Sequence, residues 1–522
     1  MKKKYVRWTL WTIASPFILF IILCILIYLP PIQNFLVDKA AVYASEATGM
    51  NISVGRISLS FPLNLVVTNV DAASPHNDTL LSVRRLQVNV QLLPLLKKQV
   101  EVDGISLQGA TVNSNDLIHG MKLNGTLGEL FISSHGVALD PETAIVNKVL
   151  LKDTDLSLCL NDTAAADTAA SDTTYWKIIL QDIDLQNVSF ALDMPLDSLS
   201  LAASLDNAIL RDGLIDLHKS AYSLQTFRIE NGRVRYDNGK PLAADSLSSG
   251  LDPSHIALTD IGVKLDSLYY GGRNMKAIIS QFVLKERSGV EIVSATGRMV
   301  SNDKVLRVPS LKLETRDSYL ELNAAMDWNA LDFKDEGLVS ARLMADIGKP
   351  DVVRFMGSMD EKFIRQYPSE PLRIRTGIDG DLNKLKLTTL TAELPGALGL
   401  FARGELTHLT DSLLRGGDIT LEAETKDLKF VSTLAEGIEI PYGTRLEGKF
   451  TMAGTKMGTD LLLMQPEAQA VVAADTIPIT VYNDSISVAD DFKMERAARL
   501  FAKYDLSRDR YEADLAVNHF DL

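Results

Sequence analysis

The stretch LQVNVQL at residues 86–92 decides the fold, because every second residue in it is apolar. Successive side chains of a β-strand point to opposite faces, so this alternation predicts a strand with one apolar face and one polar face. Such strands build a sheet that meets water on one side only. The same alternation returns further along the chain, and the candidate apolar-face residues are Leu86, Val88, Val90, Leu92, Leu156, Leu158, Leu160, Ile183, Leu185, Phe190 and Leu192.

A short motif repeats within these strands: apolar, polar, apolar, then Gln, Glu or Lys, then Gly, Asn or Asp. It fits residues 105–112 (ISLQGATV), 149–156 (VLLKDTDL), 183–190 (IDLQNVSF) and 227–234 (FRIENGRV), and Ile229 in the last copy joins the candidate apolar face. The fifth residue accepts turn or bulge conformations, so each strand should bend there and then resume its alternation. This spacing favours stacked β-arches or hairpins over one closed sandwich. The plainer alternative is that strands with Asn or Gly turns give weak repeats in any all-β protein.

The first 49 residues predict a membrane anchor, over residues 1–29, and a short helix. No residue from Thr9 to Leu29 is charged, and these 21 residues span about 32 Å as a helix, enough to cross a hydrocarbon core. The basic residues before this segment should remain in the cytoplasm, so everything after it is exported. A cleaved signal peptide is the alternative, although its apolar core is normally shorter. The two prolines that follow can open a juxtamembrane helix over residues 30–49.

The remainder of the chain divides into two predicted regions. Residues 50–345 form a repetitive β region, interrupted by a flexible loop at 161–174 that has no large apolar residue to bury. Beyond it, Asp351 can cap a helix, and a shorter helix can start at Asp427. Strands follow each of these, so residues 346–522 are predicted to form repeated helix-plus-strand units.

Composition and spacing argue against several classes of function. The net charge of −14 opposes nucleic-acid binding, because phosphate contacts need a basic surface. No two of the seven histidines stand three to five residues apart, so the sequence contains no local zinc pair. Residues 443–450 have the spacing of a phosphate loop, but Phe450 stands where magnesium needs a hydroxyl, which favours a plain strand. We therefore expect no enzyme activity, no cofactor and no metal.

The beginning of the chain resembles a known family. Residues 48–57 (TGMNISVGRI), 60–70 (SFPLNLVVTNV) and 78–83 (DTLLSV) follow the anchor and the short helix. In this order they are similar to the amino-terminal part of the TamB/AsmA-like envelope proteins, especially those of Bacteroidota. The strands that include Gly380 and Gly404 look like AsmA-type repeats, so the resemblance covers most of the chain, specifically at the start and diffusely later. Family members continue into a further β region and a carboxy-terminal domain, which implies that this chain is part of a longer protein.

The resemblance implies a mainly β protein, in which an N-terminal transmembrane helix leads into a long, curved, repetitive β-sheet groove (taco-like) with a few short helices. It also implies a single-pass inner-membrane protein with a periplasmic body that carries phospholipids between the inner and outer membranes, their acyl chains lying on the apolar face. Two alternatives stay open. One is assembly of outer-membrane β-barrel proteins with a BamA-like partner through exposed strand edges, and the other is an anchored structural β-repeat whose apolar face packs on itself.

Three threonines in the 161–174 loop are candidate O-glycan acceptors. Thr163, Thr168 and Thr173 each follow an aspartate and precede alanine or threonine, which resembles the acceptor triplet of periplasmic proteins in Bacteroidota. A flexible loop would give a glycosylating enzyme easy access. The alternative is that Asp-Thr pairs are ordinary turn openers in β proteins.

Overall fold

The computed structural model describes most of the chain and shows a mainly β protein. In the described residues, 24 strands are assigned to a single sheet, and the helices that accompany them there are short. The mainly β fold expected from the alternating sequence is thereby confirmed. The described residues are 39, 41–42, 45–46, 49–60, 64–74, 79–91, 102–114, 121–139, 142–161, 175–239, 250–332, 336–356, 361–434, 442–466 and 494–518.

The chain divides into two compact units. The first unit contains residues 1–241 and 254–271, and the second unit contains residues 242–253 and 272–522. The predicted boundary after residue 345 stays a prediction.

The first unit is a sheet in which most strands pair with the next strand in sequence, except that β9 and β10 both pair with β8 and with β11. Among the pairings described in this unit, all are antiparallel except that of β6 with β7, which is parallel. The strands are β1 (Asn51–Ser60), β2 (Asn64–Ala73), β3 (Thr79–Val90), β4 (Val102–Asn113), β5 (Met121–Leu139), β6 (Glu142–Leu160), β7 (Lys177–Met194), β8 (Leu199–Asp216), β9 (Ala221–Leu224), β10 (Thr226–Asp237) and β11 (His255–Gly271).

A line of interrupted pairing, which we call the crease, crosses this sheet. At the crease one residue of each of nine strands, β1 to β8 and β10, is missing from the pairing, yet the register on either side is unchanged among these strands. Many of these residues have the left-handed backbone that Gly, Asn and Asp adopt most readily. The crease consists of Gly55, Asn69, Arg84, Gly109, Gly128, Asp153, Asn187, Asp206 and Asn231.

The repeated motif marks the crease. Its fifth residues are Gly109, Asp153, Asn187 and Asn231, and their φ angles are 62°, 48°, 52° and 54°. The bulge-like conformation predicted at this position is therefore confirmed in all four copies. An extra residue at this position shifts the alternation by one residue. In the four motif copies, the apolar residues therefore have odd numbers before it and even numbers after it. In this way both arms of each strand keep their apolar side chains on one face.

The second unit continues as a series of antiparallel strands, each paired with the next from β12 to β24 wherever pairing is described. The strands are β12 (Asn274–Glu286), β13 (Glu291–Ser301), β14 (Val305–Thr315), β15 (Tyr319–Asp327), β16 (Leu338–Ile347), β17 (Leu372–Asp381), β18 (Lys384–Leu394), β19 (Leu398–Thr407), β20 (Gly416–Thr425), β21 (Arg445–Ala453), β22 (Lys456–Pro466), β23 (Met494–Asp505) and β24 (Arg510–Val517). Residues 443–450, with the phosphate-loop spacing, thus lead into and form part of a strand.

Short helices lie at both ends of the strands in the second unit. Helix α1 (Trp328–Leu331) lies between β15 and β16, and α2 (Lys349–Phe355) and α3 (Glu361–Gln366) lie at the opposite end, between β16 and β17. There are also 3₁₀ turns at Lys429–Thr433 in the second unit and at Pro195–Asp197 in the first unit. Phe363 of α3 packs against Tyr367 and Phe430, with ring centroids 5.5 and 5.8 Å away, in a cluster of buried residues. A smaller buried cluster surrounds Ala330 and Leu382.

The helix predicted at Asp351 begins earlier than expected. Its N-cap is Gly348, and Asp351 lies inside the first turn of α2 with 1% of its surface exposed. Asp351 does not cap the helix because its carboxylate is engaged elsewhere, accepting hydrogen bonds from Ser318 and Arg354 at 2.6 and 3.0 Å and from Thr315. The expected echo at Asp427 is a 3₁₀ turn rather than an α-helix.

The N-terminal predictions fall mostly outside the described residues. Residues 39, 41–42 and 45–46 are helical, within the span predicted as a juxtamembrane helix. The proposed anchor lies outside the described part, as does the loop from residue 162 to residue 174. Within the part of the chain that the structure describes, no helix is both long enough and apolar enough to cross a membrane.

Candidate functional site: the apolar face of the first unit

The candidate apolar residues lie in rows that run across the strands. Residues directly opposite each other on paired strands share one face of a sheet, so the register places each row on a single face. The outer row joins ten strands and is apolar throughout, and its members are Leu59, Leu65, Val88, Ile105, Ile132, Val149, Ile183, Leu210, Phe227 and Leu265. At about 4.8 Å between strands, this row extends roughly 43 Å.

A second row runs beside the first on the same arm of the strands, two residues closer to the crease. It is also apolar throughout and consists of Ile57, Val67, Leu86, Leu107, Leu130, Leu151, Leu185, Ala208, Ile229 and Val263. Beyond the crease further rows follow. One joins Leu156 to Phe190 and continues to Ala203 and Val234, and the next joins Leu158 to Leu192 and Leu201. We call these rows together the apolar face.

The structure thus brings together most of the residues that the alternation selected. Leu86, Leu185 and Ile229 share one row, Val88 and Ile183 another. Leu160 stands at the strand end next to Leu158, and Val90 lies at the end of β3. Leu92, like the candidate acceptors Thr163, Thr168 and Thr173, lies outside the described residues.

Side chains of the apolar face are only partly covered. Those of both long rows are half-buried, except that Ile105 is 37% exposed and Ala208 is buried. Phe190, beyond the crease, is 39% exposed. In the described part of the first unit we find no cluster of buried apolar residues, whereas the second unit has two. Each apolar side chain on this face is therefore sheltered mainly by its row neighbours.

The opposite face carries polar ladders. Asn187 donates a hydrogen bond to Asp153 at 2.9 Å, and Ser189 donates to Asp155 at 2.6 Å. Asn231 likewise donates to Asp206. These pairs connect neighbouring strands, so they help to keep crease residues of adjacent strands opposite each other. Their polar side chains make this face suitable for contact with water.

A pair of tyrosines lies at one end of a short row of the apolar face. A short row runs from Ile178 through Ile215 to Tyr222 and Tyr270. The two rings are stacked, with centroids 6.2 Å apart, and the residues are 40% and 46% exposed. Tyrosine offers an apolar ring and a polar hydroxyl, so this pair is suited to a boundary between apolar and wet surroundings.

Sequence reasoning missed about half of the apolar face. Leu130, Ile132 and Leu210 belong to the long rows, but their strands alternate less regularly around Gly128 and Asp212. Leu107 also belongs to a long row and lies in the motif copy at 105–112, but it was not selected. The apolar alternation normally advances by two residues. If it is continued with a step of three residues across each Gly, Asn or Asp in a strand, it selects these residues. The tyrosine pair carries no sequence signal, because β9 and β11 meet only through the fold.

Reactive chemistry is sparse in the described residues. No group of His, Cys, Asp and Glu there could hold a metal ion. In the second unit, a cleft of about 200 Å³ is lined by Gly396, Gly399 and Lys426 among others. Burial lowers the pKa of Lys426, against the opposing effect of Glu424 and Glu393. The cleft is smaller than the roughly 300–1,000 Å³ of ordinary small-molecule sites.

No family model matches this chain, and no curated protein or solved structure matches it either. The function must therefore be argued from the geometry of the apolar face.

Proposed function

We propose that this protein carries phospholipids between the inner and outer membranes, with their acyl chains lying on the apolar face of the first unit. The observation that supports it is the pair of unbroken apolar rows, ten strands wide, whose side chains remain partly exposed. An apolar face of this size must be covered by something apolar, and acyl chains are a covering that can enter and leave.

Burial of acyl chains supplies the driving force. Each CH₂ group removed from water contributes about 0.8 kcal/mol, so one long chain gains on the order of 10 kcal/mol. Rows that continue from strand to strand offer successive positions of similar character, so a lipid moves along the face without crossing a polar strand. Head groups remain at the strand ends, where Tyr222 and Tyr270 present hydroxyl groups. No nucleotide site is needed within this chain for such movement.

The proposal places the first residues of the chain in the inner membrane. The uncharged segment from Thr9 to Leu29 serves as a single-pass anchor, the N-terminus is cytoplasmic, and the described strands lie in the periplasm. The proposed partners are phospholipid acyl chains and the inner membrane, with a BamA-like outer-membrane barrel as a further partner.

A charge placed on the apolar face tests the proposal. Leu158→Asp should abolish lipid that copurifies with the full chain, while the unfolding midpoint and the cellular level stay close to those of the wild type. The matched control is Ser157→Asp, one residue away on the exposed polar face, which should retain bound lipid. If the face were packed on itself, Leu158→Asp would instead unfold the protein, because burying an unpaired charge costs several kcal/mol.

Outer-membrane protein assembly is the second candidate function, with client strands added to exposed sheet edges through backbone hydrogen bonds. Loss of outer-membrane proteins in the Leu158→Asp variant, with lipid flow unchanged, would favour this function over lipid transport.

A further inference from the structure

The cleft in the second unit opens beside the turn between β18 and β19. Its lining includes Leu394 and Ala397, which belong to the buried cluster around Phe363. A side-chain carbon added to Gly396 or Gly399 would meet no atom within 4 Å, so both glycines border open space. The cleft of about 200 Å³ has room for roughly six water molecules. Only a small molecule fits such a space.

Lys426, directly after β20, lines this cleft and is held there by the backbone. Its N–H group donates a hydrogen bond to Ala397 O at 2.7 Å, and the N–H group of Asp427 donates to Gly396 O at 3.1 Å. The lysine is half-buried. Within the part of the chain that the structure describes, its side-chain amine makes no hydrogen bond and no ion pair. The cleft thus contains a basic group that no described residue contacts through a polar atom.

Two carboxylates line the cleft on either side of a missing side chain. Gly399 pairs with Glu393 on one neighbouring strand and with Glu424 on the other, so the two glutamates flank an empty position. Each carboxylate has an arginine as its ion-pair partner. The Arg373 guanidinium lies 4.0 Å from Glu393, and the Arg445 guanidinium lies 3.8 Å from Glu424.

The lining favours an uncharged molecule with an electrophilic carbon atom. Glu393 and Glu424 repel an anion from this space, and the protonated form of Lys426 repels a cation. Burial lowers the pKa of the Lys426 amine, against the opposing effect of the two carboxylates. A larger share of the amine is then neutral than in an ordinary lysine, and the neutral amine is the nucleophile. A small aldehyde meets these requirements.

We propose that Lys426 captures small aldehydes as Schiff bases, with the remainder of the aldehyde lying in the cleft beside Gly399. This site belongs to the second unit and is separate from the apolar face of the first unit. It does not depend on lipid, so its test is independent of the test of lipid transport.

The reaction needs only the amine, the aldehyde and proton transfer. The nitrogen lone pair of Lys426 forms a bond to the carbonyl carbon, and a proton from the nitrogen passes to the carbonyl oxygen. The resulting carbinolamine loses its hydroxyl group and the second nitrogen proton as water, which leaves a C=N bond. Glu393 and Glu424 are the neighbouring groups that can carry these protons. No oxidant, reductant or cofactor takes part.

Reductive trapping tests the site. The full chain is incubated with propionaldehyde and cyanoborohydride, which reduces the imine to a stable propyl-lysine, and mass spectrometry follows each lysine over time. Lys429, in the 3₁₀ turn that follows, has a side chain 78% exposed and serves as the internal reference. At neutral pH, Lys426 should be modified at least about threefold faster than Lys429, because the cleft holds the aldehyde beside an amine with a larger neutral fraction.

Filling the cleft gives the matched control. Gly399→Leu retains Lys426 and its charged neighbours but occupies the open space, so the Lys426 rate should fall to about that of Lys429. The unfolding midpoint, measured alongside, should match that of the wild type, because a carbon added at Gly399 meets open space.

Two results overturn the proposal. One is a Lys426 rate in the wild type that is equal to or slower than the Lys429 rate, and this comparison needs no variant. The other is a Lys426 rate that stays unchanged in Gly399→Leu, because the amine would then react without the cleft.

Discussion

Single residues with left-handed backbone decide how the strands of the first unit keep one apolar face. Asn187 is the clearest case, because its φ of 52° is reached at little strain by Gly, Asn and Asp only. Its side-chain amide also donates a hydrogen bond to Asp153 on the neighbouring strand. Asn187 therefore contributes both the left-handed backbone conformation and a cross-strand hydrogen bond. The motif predicted this position because its fifth residue was always one of those three types.

Substitutions at Asn187 separate conformation from hydrogen bonding. Asn187→Val should lower the free energy of unfolding by about 1–3 kcal/mol, because a β-branched residue is strained at positive φ. Asn187→Gly loses the same amide but keeps access to the backbone conformation, so it should lower stability by less than about 1 kcal/mol. Chemical denaturation of the two variants measures the difference. Equal losses would show that the hydrogen bond, not the backbone, determines the effect.

Other crease residues could not be predicted from the sequence. Arg84 and Asp206 stand at the crease with no unusual backbone, and only the register of their neighbours places them there. A second interruption at Asn147 and Gln181, whose side chains share a hydrogen bond of 3.0 Å, was missed for the same reason. Pairing between strands is decided by contacts far apart in sequence, which a local pattern does not contain.

At the scale of elements, helix α2 is attached to the sheet by a buried carboxylate. Asp351 joins α2 to the turn between β14 and β15 through Thr315 and Ser318, and Arg354 also binds Asp317 at 2.7 Å. Helical spacing predicted a helix near here, but it assigned Asp351 to the cap. The sequence could not reveal the true role, because two partners of Asp351, Thr315 and Ser318, lie more than 30 residues away.

Removing this carboxylate should loosen the helix. Asp351→Ala should lower the free energy of unfolding of the second unit by about 3–5 kcal/mol, because it leaves Arg354 and two hydroxyl groups without their buried partner. Asp317→Ala is the matched control: it removes the more exposed partner of the same arginine and should have a smaller effect. Hydrogen exchange of α2 amides reports the change, and similar protection in both variants would contradict the account.

At the scale of the whole molecule, the two units differ in how they treat apolar residues. The second unit buries a cluster around Phe363 under short helices, whereas the described first unit leaves long apolar rows half-covered. The mainly β architecture followed from alternation alone. The division near residue 271 did not, because strands of similar pattern lie on both sides of it.

Site-specific crosslinking to lipid tests the central claim most directly. A photoreactive residue is placed in the full chain at Val88 or Leu158, on the apolar face, and at Ser157 on the opposite face as control. After irradiation in cells, the adducts are analysed by mass spectrometry. The account predicts phospholipid adducts at Val88 and Leu158 and none at Ser157. Adducts only to other segments of this chain at the two apolar positions would contradict it.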